Sequence, residues 1–300
     1  MFINIPPDFP ALEILAQEQT DVSSFVSTKK DKKSDVTIAV LNLMPLKITT
    51  EADILRVLSN SPLNIHIDFV NIETHTPKNT PVEHLQKYYK PFSAIKYNRY
   101  DGFIITGAPV ELISFEEVNY WEELSGIFNW ARTNVRSTLY ICWAAQAALY
   151  HFYGVPKHEL NKKLFGIYPH TTNYPSHTLL KGFDDRFYAP HSRHTTIYRE
   201  DIIKHSELSI LSESNEAGVY IIANESNNEF YITGHSEYAP RALHDEYMRD
   251  MKKGLTTVDI PFNYYKNNNP NLPPNVIWRS HANLLFTNWL HEFALQKRPV

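Results

Sequence analysis

The sequence predicts an α/β protein with a mostly parallel central sheet, and three observations carry that prediction. Short β-prone runs alternate with helical periodicity through the first half of the 300 residues, an order that calls for parallel strands joined by right-handed crossovers. The strongest runs are apolar at nearly every position, as strands buried on both faces must be. One run, Thr138 to Ile141, passes through Cys142 straight into the Ala-rich helix start Trp143-Ala144-Ala145-Gln146-Ala147-Ala148.

Taken in order, residues 1–35 read as an N-terminal arm and residues 36–300 as a single domain. In the arm, Ala11 to Gln17 can form a short helix and Lys29 to Lys33 is a solvated charge run. Val36 to Leu43 is the first buried strand, and Thr49 or Thr50 can cap a helix through Val57. Leu63 to Ile72 alternates as a second strand, and a short helix follows near His84 to Tyr89. Tyr100 to Gly107 is the third strand, and Phe115 to Thr133 has helical spacing. The fourth strand ends at Cys142, and its helix runs to about Tyr153.

The second half is less regular. Gly166 to Tyr198 reads as loop-rich. Ser209 to Leu211, Gly218 to Asn224 and Glu229 to Thr233 read as antiparallel strands. Pro240 to Lys253 is a helix with proline near its first turn. Asn263 to Pro274 is a Pro/Asn-rich loop, and Arg279 to Gln296 an amphipathic closing helix.

Hydrophobic residues make up 43% of the chain and charged residues 21%, enough for a large core. The net charge of −4 offers no basic surface for nucleic acid or membrane. The N-terminus lacks the basic and apolar regions of a signal peptide, and no apolar run reaches membrane-span length. With one cysteine, these features point to the cytoplasm. The 14 histidines form no HExxH or Cys/His cluster, so no metal site is expected.

Cys142, the only cysteine, sits where a strand meets a helix. A residue there is lifted on a tight turn beside the orphan N–H groups of the helix. That place favours a thiolate and offers donors to an oxyanion. It is the geometry of a nucleophile elbow, with Tyr140 and Ala144 where glycines usually stand. The same residue could equally be a small buried hydrophobe. Phe230 to Tyr238 repeats the pattern: an apolar strand ends at Gly234 and His235 follows, with Glu237 two residues on. Positions i and i+2 share a face in extended chain, so the carboxylate can orient the ring. A Cys–His pair oriented by a carboxylate activates a thiol. The alternative is a structural histidine beside a surface glutamate. In parallel sheets ligands bind beyond the carboxyl ends of the strands. Lys47, the Gly107-Ala108-Pro109-Val110-Glu111 loop and Cys142 should therefore share one rim.

Several segments together resemble the homoserine O-acyltransferases of methionine biosynthesis, which include succinyl- and acetyl-transferring members. They are Asn42 to Lys47, Thr106 to Glu111, Ile141 to Gln146, Pro190 to His194 and Thr233 to Tyr238. The resemblance covers nearly the whole chain. It implies a class I glutamine amidotransferase-like three-layer sandwich. It also implies roles: Cys142 carrying an acyl-thioester, His235 as general base and Glu237 orienting it. Lys163, Ser192 and Arg249 match substrate-binding positions, Arg249 suiting the homoserine α-carboxylate. Lys47 and the Trp143 N–H are candidate oxyanion stabilisers. Position 111 separates acyl donors in that family, and Glu111 implies acetyl-CoA. L-homoserine and acetyl-CoA are then the substrates, with no cofactor beyond that co-substrate, and a homodimer is expected. The alternatives are succinyl transfer, a cysteine-dependent glutamine amidotransferase or hydrolase, and a binding protein with an inert cysteine.

Overall fold

Successive residues of the central strands enter two different cores. Ile38, Val40, Ile104, Leu139 and Ile141 join one, while Ala39, Leu41, Phe103, Ile105 and Tyr140 join the other. Period-2 side-chain alternation with both faces apolar makes a sheet that helices must cover on both sides. The structure is a computed structural model that describes residues 2–20, 34–75, 77, 79–254 and 258–295.

The chain opens with β1 (Phe2–Asn4) and α1 (Ala11–Gln17). The alternation then runs β2 (Val36–Leu41), α2 (Lys47–Leu58), β3 (Asn64–Asn71), α3 (Val82–Tyr88), β4 (Tyr89–Pro91), α4 (Phe92–Ile95), β5 (Tyr100–Ile105), α5 (Trp121–Asn134), β6 (Val135–Ile141) and α6 (Trp143–Tyr153). After it come β7 (His158–Thr172), β8 (Arg186–Thr196), α7 (Arg199–Ile202), β9 (Ser209–Ser214), β10 (Gly218–Asn224), β11 (Glu229–Ile232), α8 (Ala242–Lys252) and α9 (Arg279–Asn288). The sheet order is β1-β3-β2-β5-β6-β11-β10-β9-β7-β8, with β4 beside β3. Pairings are parallel from β1 through β6 to β11 and antiparallel beyond. Leu15 of α1, Leu55 of α2 and Leu285 of α9 cover one face. Leu124 and Phe128 of α5 and Ala144 and Ala148 of α6 cover the other. Among the described residues no helix is long and apolar enough to cross a membrane.

Five expectations change. Residues 2–17 do not stand apart as an arm: Phe2–Asn4 extends the parallel sheet against β3, and Ile3, Phe9 and Leu15 are core residues. The charge run Lys29 to Lys33 lies outside the described residues. Helix α2 starts at Lys47, with Leu46 at the N-cap position and no side-chain cap, so neither Thr49 nor Thr50 caps it. Gly166 to Tyr198 is not loop-rich, because β7 and β8 form a long antiparallel pair through Phe165↔Ser192 and Ile167↔Pro190. Its strands bury His170, His191, Ser192 and Arg193. Polar residues held by one another leave no apolar alternation to read. Finally, Phe115 to Thr133 divides into a single 3-10 turn, Phe115–Glu117, and α5. The closing helix passes from α9 into a π-helical turn, Trp289–Ala294, and Gln296 lies outside the described residues.

Candidate active site

Cys142 adopts φ 52° and ψ −115°, a conformation that costs a non-glycine residue free energy. What holds it is the register. Ile141 pairs with Ile232, and the Cys142 N–H donates to Ile232 O at 2.6 Å. The first residues of α6 are small and wholly buried, Ala144 and Ala145 among them, so the helix lies close on the sheet. Trp143, the first residue of α6, has no intrahelical acceptor for its N–H.

His235 follows β11, the strand beside β6, so the pairing that strains Cys142 also delivers the imidazole. Its N–H donates to Pro190 O at 2.8 Å. Its Nδ1–H faces Glu237 Oε1 at 2.7 Å, and the ring stacks on Tyr238 at 4.1 Å between centroids. Burial disfavours the imidazolium, but the Cys142 and Glu237 charges, with a hydrogen bond to each, outweigh it and hold the imidazole well above the ordinary range. Gly107, after β5, closes the third side. A Cβ there would lie 3.3 Å from Cys142 Cβ and 3.6 Å from His235 Cε1. The structure thus brings Cys142, His235 and Glu237 together, all nearly inaccessible to bulk water.

Cys142 and His235 open onto a cavity of about 780 Å³, with Glu237 behind the imidazole. Lys163, Ser192 and Arg249 line it and converge on a residue the sequence reading did not single out, Glu246. Lys163 Nζ donates to Glu246 Oε1 at 2.7 Å, Ser192 Oγ at 2.9 Å and Arg249 Nη2 at 3.4 Å. Arg249 Nε also donates to Asp250 Oδ1 at 2.9 Å. Glu246 lies three residues before Arg249 on α8, and helical spacing from Arg249 was the one signal that could have found it. Glu111 lines the same cavity. Its carboxylate accepts the His194 N–H, and Lys157 Nζ donates to its carbonyl at 2.6 Å.

Lys47 is not among the residues lining the cavity. It lies under the wall formed by Met44, Pro45 and Leu46, with Nζ donating to Asn42 O at 2.5 Å. Burial draws the ammonium down to about 8, with Glu51 opposing. The Trp143 side chain packs among Phe115 and Tyr120, so only its backbone could serve the site.

The architecture is that of the class I glutamine amidotransferases, with a cysteine, a histidine and a glutamate at the ends of adjacent strands. It overlays on a glutamine amidotransferase from Thermotoga maritima with a TM-score of 0.56, at 11% identity, covering 88% of this chain and 100% of the other. Residues 2–300 match the family described as homoserine O-succinyltransferase, and the chain belongs to that family. Relatives named homoserine O-acetyltransferase share its full length. The one from Parabacteroides distasonis is 55% identical over 299 residues, covering 100% of this chain and 96% of its own. The one from Bacteroides fragilis is 54% identical, covering 100% and 98%.

Proposed function

We propose that this chain is a homoserine O-acetyltransferase that moves acetyl from acetyl-CoA to the γ-hydroxyl of L-homoserine through an acyl-cysteine. The observation that carries the reading is Cys142 and His235, the latter bonded to Glu237, lining one cavity with both Glu111 and Arg249. Full-length similarity to relatives of that name supports it.

In the first half-reaction the Cys142 thiolate attacks the thioester carbonyl. The Trp143 N–H stabilises the oxyanion, and the CoA sulfur leaves with the C–S electron pair and the proton of His235. In the second, His235 takes the γ-hydroxyl proton of homoserine, whose oxygen attacks the acyl-cysteine and expels the thiolate. Arg249 holds the α-carboxylate, with Lys163 and Ser192 fixing the surrounding carboxylates. Lys47 supports the cavity wall through Asn42 rather than reaching the oxyanion. Glu111 selects acetyl over succinyl, because it fills the space beyond the thioester and sets like charge against a succinyl carboxylate. No cofactor beyond acetyl-CoA enters. The lone thiol suits a reducing cytoplasm, and a homodimer, checked by sedimentation, is the expected assembly.

The test is CoA release from acetyl-CoA and succinyl-CoA, with and without homoserine. Homoserine-dependent release with higher kcat/KM for acetyl-CoA is the expected result. A higher value for succinyl-CoA would overturn the acyl assignment. Equal release without homoserine would mean a hydrolase.

A further inference from the structure

Arg193 lies in the Pro190–His194 segment, and the chemistry above leaves it unused. It is 1% exposed. Its guanidinium meets neutral acceptors: Nη1 donates to Thr195 O at 2.7 Å, Nη2 to Ala217 O at 2.6 Å and Nε to His191 Nδ1 at 3.4 Å. Among the described residues no carboxylate forms an ion pair with it. A buried cation without a counter-charge is costly, so a neighbouring anion must compensate it.

The hydrogen bonds lead from the guanidinium to the helix of Cys142. Gln146 Nε2 donates to the same Thr195 O at 3.3 Å, and Thr195 Oγ1 donates back to Gln146 Oε1 at 2.8 Å. Gln146 is one helical turn past the nucleophile, and its N–H donates to Cys142 O at 3.3 Å. The guanidinium is therefore locked to the first turn of the helix that carries Cys142. The next residue along β8, His194, holds the Glu111 carboxylate.

We propose that Arg193 is the fixed cation that balances the Cys142 thiolate, a positioning residue that acts through the nucleophile and does not touch substrate. The inference rests on the reading of Cys142 as the nucleophile. Burial draws the guanidinium down to about 10, and the charges opposing that fall are Cys142, Glu111 and Tyr168. On β7 and β8, burial also drives His170 to about 3 and His191 well below its ordinary value, so neither adds a positive charge. Past β11 stand His235, Glu237 and Tyr238, and α2 contributes Asp53. Lys163 and Arg249, which line the cavity with Cys142, are both paired to Glu246 and Asp250, and Arg56 to Asp53. Of these groups His235 and Arg193 are the cations left to face the sulfur. His235 gives up its proton to the departing CoA sulfur, whereas Arg193 cannot. Once Cys142 is acylated its charge is gone and Arg193 is left uncompensated. The second half-reaction restores the thiolate, so Arg193 favours expulsion of the Cys142 sulfur as the acyl group passes to the homoserine oxygen.

Cys142 is the only cysteine, so the pH profile of iodoacetamide alkylation reads its ionisation without background. Arg193→Gln should move the midpoint up by about one pH unit or more, and slow acetyl-enzyme formation about tenfold. Arg193→Lys, which keeps the charge, should hold the midpoint within about half a unit of wild type. An unmoved midpoint in a folded Arg193→Gln variant overturns the proposal. If that variant does not fold, Glu111→Gln decides. Removing the second anion facing Arg193 should lower the midpoint by about half a unit, and no change there overturns the proposal. Failure of the wild type to form an acetyl adduct on Cys142 would instead sink the nucleophile reading. An adduct with an unmoved Arg193→Gln profile sinks only the role of Arg193.

Discussion

Glu237 Oε1 accepts the Nδ1–H of His235 at 2.7 Å, and both residues are buried after the same short strand. The bond fixes the tautomer that leaves Nε2 for Cys142. The two residues should therefore act as a unit. Loss of His235 is expected to cost about 10²–10⁴-fold in kcat/KM. His235→Ala/Glu237→Ala should be little worse than His235→Ala alone. Multiplicative losses in steady-state kinetics would show that Glu237 does not orient the base.

Gly107 should tolerate alanine poorly and valine not at all. A Cβ would press on Cys142 Cβ at 3.3 Å, and branching would fill the space toward His235. Gly107→Val should lower the rate of acyl-enzyme formation about tenfold or more, with little change in Tm. A fall in Tm that accounts for the lost activity would make the residue a packing element only.

Arg249 separates the two half-reactions. Arg249→Ala should raise the homoserine KM strongly while leaving acetyl-enzyme formation near wild type by intact-protein mass spectrometry. Arg249→Lys should rescue little, because the planar fork that meets a carboxylate is lost. Equal damage to both steps would mean that Arg249 mainly tethers Glu246 and Asp250.

Much of this was legible. The triad residues stand at ends of apolar strands, and parallel strands buried on both faces announce themselves by unbroken hydrophobicity. What was not legible depends on contacts between distant segments. The strands of β7 and β8 hide behind buried His170, His191 and Arg193, whose partners come from far along the chain. Lys47 reads as a rim cation, and only the fold shows it turned under the wall onto Asn42. Glu246 offers only its i,i+3 spacing from Arg249 as a local signal, and its other partners, Lys163 and Ser192, come from β7 and β8.

Gly166 shows how such hidden contacts carry weight. Its φ of +143° suits glycine, and a Cβ would come within 2.4 Å of the Phe262 backbone. That approach lets Phe262 N donate to Phe165 O at 2.9 Å and Ile167 N to Phe262 O at 2.8 Å. Gly166→Ala should destabilise the chain by about 2–4 kcal/mol. A denaturant midpoint equal to wild type would refute the close approach.

Asp68 should shape the acid limb of stability. Burial raises its carboxyl, but hydrogen bonds from His66, Lys90 and Tyr100 outweigh this and hold it well below the ordinary 3.8. With the folded value below the unfolded one, its contribution is whole above 3.8 and drains away as the pH falls toward the folded value. Asp68→Asn should cost about 1 kcal/mol near neutrality, after allowing for solvent screening, and flatten the decline of Tm in acid. Parallel wild-type and variant curves would exclude the mechanism.

The pairing of β6 with β11 has a wider consequence. The nucleophile and base sit on neighbouring strands, while Lys163 and Ser192 come from the β7–β8 hairpin inserted in the chain between them. The proposed nucleophile and base thus stand on one pair of strands, and two of the residues proposed to shape the substrate end of the cavity stand on another. The two pieces are joined where the His235 N–H donates to Pro190 O of β8 and where Arg193 of β8 shares the Thr195 carbonyl with Gln146 of α6. A different β7–β8 hairpin grafted onto this frame should therefore keep acyl-enzyme formation only where it retains Pro190 and Arg193.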